Sequence, residues 1–72
     1  MQYYKRIKNT REDKDYTQKE IATILKTSQS YYAQYENGHR KLPIEHLITL
    51  CKFYNLSADY LLGIIDEPRQ IK

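Results

Sequence analysis

Residues 17–38 read TQKEIATILKTSQSYYAQYENG, and their punctuation decides the fold. Thr17 followed three residues later by Glu20 has the form of a capping box: the threonine hydroxyl accepts from the Glu20 amide, and the glutamate reaches back to the Thr17 amide. A helix is therefore expected to begin near Gln18. Ile21, Ala22, Ile24 and Leu25 recur at three- and four-residue spacing, so most of them share one face, and that face is buried. Lys26, Thr27 and Ser28 interrupt the pattern. Ser28 is a good N-cap for a second helix running through Tyr32 and Tyr35 to Glu36, and Asn37-Gly38 stops it because both residues accept the left-handed conformation that closes a helix.

Two such helices joined by a turn of about three to four residues cross steeply, which is the outline of a DNA-binding helix-turn-helix. Many helical domains contain similar corners, so the residue choice on the second helix carries more weight than the outline. With Tyr32 and Tyr35 turned inward, Gln29, Ser30, Ala33 and Gln34 point outward as a short, uncharged, hydrogen-bonding face. Glutamine pairs bidentately with the adenine major-groove edge, and serine donates to or accepts from several bases.

TQKEIA, SQSYYAQYENG and the run to LSADYLLG resemble the Cro and phage-repressor type of helix-turn-helix, the Xre family, over roughly residues 4–63. The resemblance implies an all-α, compact five-helix, lambda-repressor-like DNA-binding domain with the helix-turn-helix at helices 2 and 3. It implies a domain over residues 1–63 and a short tail over 64–72 that is part of a two-fold dimer contact. It also pairs Arg11 with Glu36. Arg11 lies on the inward stripe of the first helix, four residues after Ile7, where a guanidinium needs a partner to offset its desolvation. The chain departs from the family where Lys26 and Asp15 stand in place of the usual glycines and Tyr35 in place of a tryptophan or apolar residue. Lysine at position 26 would have to adopt a left-handed conformation at a cost of roughly 1 kcal/mol.

The docking rule for this class, carried over to these positions, puts the N-terminal turn of the second motif helix in the major groove. Gln29 and Ser30 would lie nearest the base edges, Gln34 one turn further along, and Tyr31 against a thymine methyl or a phosphate. Gln18 would hold a phosphate through its amide and side chain at a helix N-terminus. Lys26 would assist, and Asn37, Arg40 and Lys41 would grip the flanking strand. A homodimer would present two such helices about 34 Å apart to a near-palindromic operator.

Size and charge fit this reading. Seventy-two residues make one domain with a modest core, so stability must come from packing and from dimerisation. The formal charge is +3, but residues 1–41 hold nine Lys or Arg against five Asp or Glu, whereas residues 42–72 hold three against four. The half with the motif is the basic half, as phosphate binding requires. Cys51 is the only cysteine, which excludes an intramolecular disulfide and suits a reducing compartment. No run of transmembrane length and no signal-peptide pattern at Met1 is present, so the expected location is cytoplasmic.

In the first helix, expected over residues 2–14, Tyr3 or Tyr4 with Ile7 and Thr10 or Arg11 make the inner face, and Lys5, Arg6 and Lys8 the outer one. Ile44, Leu47, Ile48, Leu50, Cys51 and Tyr54 wrap most of the way round a central buried helix. Asn55 ends it, Ser57 caps a last helix over residues 58–62, and Gly63 stops that. Ile64 and Ile65 either cover the last helix or meet a second copy, with residues 67–72 disordered as the competing reading. His39, His46 and Cys51 form no catalytic or metal-ligating group, Cys51 reading as a small core residue and His46 as a surface helical residue, and no glycine-rich phosphate loop exists; no enzyme activity, metal, cofactor or small-molecule ligand is expected. The rival function is a protein-interaction or antitoxin-like module on the same fold.

Overall fold

The computed structural model describes residues 1–72, and its five helices begin and end where short polar side chains and left-handed residues punctuate the chain. They are α1 (Tyr3–Asp13), α2 (Gln18–Ile24), α3 (Gln29–Glu36), α4 (Ile44–Tyr54) and α5 (Ala58–Leu61), with no strands. Thr17 and Glu20 form the reciprocal capping box of α2. Ser28 Oγ accepts from the Tyr31 amide and Ser57 Oγ from the Tyr60 amide, each cap worth about 1 kcal/mol. Asp15, Lys26 and Asn55 all take left-handed φ, at 63°, 58° and 55°.

Ile7, Ile21, Leu25, Tyr32, Leu50 and Leu61 form the centre of one core, to which every helix contributes. The α2–α3 pair packs most extensively, with α1 lying against both α3 and α5. Gly38 sits at φ +76° under the ring of Tyr4, where an added Cβ would stand 3.1 Å from the ring carbons. Gly38→Ala is therefore expected to lower stability by about 1–2 kcal/mol or more, since it adds crowding to the left-handed cost; a urea-unfolding midpoint equal to wild type would contradict this.

Three expectations from the sequence need correction. Arg6, placed on the outer face of α1, is only 5% exposed. Its Nη1 donates to the Tyr60 and Ile65 carbonyls at 2.7 and 2.9 Å, its Nη2 to Asp66 Oδ1 at 3.2 Å, and its guanidinium lies 4.1 Å from the Tyr60 ring centre. The tail drives this: residues 65 and 66 fold back over α1, and the Ser57 amide donates to the Arg69 carbonyl at 2.6 Å. Second, α4 is not buried all round, because Ile44 and Ile48 are 63% and 48% exposed. Third, His46 is half-buried rather than a surface residue, its ring 5.8 Å edge-on from Tyr35.

Candidate nucleic-acid interface

The seat of α3 is fixed from beneath. Tyr32 and Tyr35 are buried, and their rings meet edge to face at 6.2 Å. Glu36, at the last turn, is also buried, and a carboxylate there must be fully partnered. Arg11 Nε donates to its Oε2 at 2.8 Å and Arg11 Nη2 to its Oε1 at 3.1 Å, a two-pronged pair from α1 to α3. Arg11 Nη1 donates to the Tyr16 carbonyl at 2.8 Å, so the guanidinium is held on both sides.

Gln18 makes a contact that the sequence did not suggest: its Nε2 donates to Glu36 Oε1 at 3.0 Å, which ties the first turn of α2 to the last turn of α3. The buried carboxylate explains this, since burial raises its proton affinity and a third donor helps to offset that. Burial pushes the Glu36 carboxyl up, but the hydrogen bonds from Arg11 and Gln18 and the Arg11 charge outweigh it, and the group stays below its ordinary range. Tyr32 lies in the field of the same carboxylate, yet its hydroxyl makes no well-formed hydrogen bond.

With one side of α3 seated this way, its N-terminal turn is open. Gln29 and Ser30 are exposed, and the Ser30 hydroxyl lies 3.4 Å from that of Ser28. Tyr31 is partly exposed and leans edge-on against Tyr35 at 5.8 Å. Ala33 and Gln34 are half-buried. Lys26, Asn37, Arg40 and Lys41 are exposed around the rim, Lys26 in the turn before α3 and the others after it.

The segment after α3 does not hang free. The amides of His39 and Arg40 both donate to the Gln34 carbonyl, at 3.0 and 3.2 Å, and fold the loop back onto α3. Arg40 Nε then donates to Gln34 Oε1 at 3.1 Å, and its guanidinium lies 4.5 Å from the Tyr31 ring centre. Sequence reading missed this contact. Its only signal was Gly38, whose positive φ turns the chain back toward the helix.

The five-helix fold agrees with comparison to known proteins. The family described as helix-turn-helix domain matches residues 4–67. The chain belongs to that family. This helix-turn-helix domain is 32% identical over 66 residues to the HTH-type transcriptional regulator YobD of Bacillus subtilis (strain 168), covering 92% of this chain and 59% of YobD. It is 41% identical over 59 residues to the HTH-type transcriptional regulator ImmR of the same strain, covering 82% of this chain and 46% of ImmR. A transcriptional regulator from Listeria innocua superposes on it with a TM-score of 0.83 at 29% identity, over 92% of this chain and 62% of that one. The helix-turn-helix domain thus spans about half the length of the curated relatives it matches.

No group of three or more His, Cys, Asp or Glu side chains is placed to hold a metal ion, and no helix is long and apolar enough to cross a membrane. Cys51 is buried, and burial pushes its thiol above the ordinary range, which makes it a small core residue rather than a nucleophile.

Proposed function

We propose that this domain is a sequence-specific double-stranded DNA-binding transcriptional regulator, acting as a repressor, and that it reads the major groove with α3. One observation carries the reading: Gln29 and Ser30 stand exposed and uncharged at the tip of a helix whose opposite side is sealed by Tyr32, Tyr35 and Glu36. Uncharged amide and hydroxyl groups at that position suit base edges. Lys26, before α3, and Asn37 and Lys41, after it, are exposed and would take phosphates, as would Gln18 at the N-terminus of α2. No catalytic role, cofactor or small-molecule ligand is assigned, and the place of action is the cytoplasm.

A homodimer on a near-palindromic operator completes the proposal. Its support is the exposed apolar side chains of Ile44, Ile48 and Ile64, which a second copy of the chain would cover. The same surface favours the second reading, a protein-interaction module: a groove of about 300 Å³ lined by Tyr3, Leu42, Ile44, Leu47 and Leu62 runs beside it.

Gel shift against genomic DNA fragments at moderate salt separates the two readings, since an interaction module would leave duplexes unshifted. Gln29→Ala is expected to cost about 1–3 kcal/mol on the preferred site and much less on random DNA. An equal loss on both would reduce Gln29 to a positioning role. Two-fold symmetry in the preferred site would support the homodimer, and an asymmetric single half-site would oppose it.

A further inference from the structure

Arg40 lies in the loop after α3, where an exposed cation would ordinarily be assigned to the DNA backbone, but its geometry is unlike that of a free phosphate clamp. Two backbone hydrogen bonds to the Gln34 carbonyl fasten the loop to the C-terminal half of α3. The side chain then folds back toward the N-terminal half, with its guanidinium 4.5 Å from the Tyr31 ring centre and Nε bonded to Gln34 Oε1 at 3.1 Å. Tyr31 and Gln34 are both among the residues of the proposed reading face. Arg40 therefore belongs to that face and not to its flank.

The contact also settles which way Gln34 faces. A guanidinium nitrogen carries only donors, so the Gln34 atom that meets it must be the carboxamide oxygen. Here one lone pair of that oxygen is taken by Arg40, which leaves its second lone pair and the –NH₂ donors free. Arg40 in turn has Nε occupied, which leaves the parallel Nη1 and Nη2 donors at the end of a planar group stacked on an aromatic ring. Two parallel donors match the O6 and N7 acceptors of guanine. A stacked, hydrogen-bonded arginine has already lost much of the freedom that binding would otherwise cost.

We propose that Arg40 is a guanine reader, set in place by Tyr31 and Gln34. The inference rests on the DNA-binding reading above and narrows it to operators with a guanine at the position facing the end of α3.

Selection of bound sites from a pool of duplexes with a randomised core tests it, using the wild-type chain and Arg40→Lys, Tyr31→Phe and Tyr31→Leu variants, each checked for helical content by circular dichroism. The wild type should fix one guanine column per half-site. Arg40→Lys, which keeps the charge and loses the fork, should relax that column by roughly 10-fold to 100-fold and leave the others unchanged. Tyr31→Phe should preserve the guanine preference and Tyr31→Leu should weaken it, because the ring and not the hydroxyl carries the stack. An Arg40→Lys pool identical to wild type at every column would overturn the inference while leaving DNA recognition standing, and would return Arg40 to the phosphates. A wild-type pool with no enriched sequence would remove both.

Discussion

Replacing Glu36 by alanine is expected to cost about 3–5 kcal/mol of folding stability, because it strands a guanidinium that has been taken out of water. In a 72-residue chain that is a large share of the total, and the variant should be substantially unfolded at ambient temperature. The Glu36 side chain has no exposed surface and that of Arg11 is 11% exposed, so water cannot take over for the lost partner. The loss comes from the unpaired charge and not from the attraction itself. The double variant Arg11→Met with Glu36→Leu should therefore recover most of it. Urea unfolding of the three chains decides the point, and a double variant no better than Glu36→Ala would refute the desolvation account.

Acid should act through the same carboxyl. Its folded value lies below the ordinary 4.5, so it takes up a proton later on acidification in the folded chain than in the unfolded one. The stability it contributes is fully present above about pH 4.5 and is withdrawn as pH falls through the lower folded value. Glu36→Gln should flatten this acid limb, and the measurement is the urea midpoint at pH 7 against that near pH 3.

Tyr32→Ala is the second large effect, expected at about 3–5 kcal/mol, since Tyr32 is the largest side chain with no exposed surface and its loss leaves a cavity in the core. Tyr32→Phe should behave in the opposite way. The hydroxyl it removes is buried without a partner, so the variant should lie within about 1 kcal/mol of wild type or be more stable. A phenylalanine variant as damaged as the alanine one would mean that the hydroxyl is bonded in solution. Burial and the Glu36 charge hold the Tyr32 proton far above the ordinary value of 10.0, so this contribution is complete below that pH and declines as the pH rises beyond it.

What the sequence reveals and what it hides divide along contact distance. Thr17, Glu20, Ser28, Asn55 and Ser57 act on backbone groups within a turn of themselves, so their roles follow from spacing alone. The inward turn of Tyr32 and Tyr35 follows from periodicity for the same reason. Arg11 and Glu36 are 25 residues apart, and only the family resemblance joined them. Arg6 had neither aid. It stands beside the apolar stripe of α1, and what buries it arrives 54 to 60 residues later, in Tyr60, Ile65 and Asp66. Ile44 and Ile48 mislead in the opposite sense, since an apolar run reads as core whether the chain itself or another molecule covers it.

Arg6 and Arg11 stand on the same helix, five positions apart, and hold different parts of the molecule. Arg6 ties the final segment to α1, and Arg11 ties α3 to it through Glu36. Anything that pulls on the final segment, whether a following stretch of polypeptide or a docking molecule, therefore loads an eleven-residue rod to which α3 is fastened. The seat of that helix and the anchorage of the chain's far end share one support, five residues apart on α1.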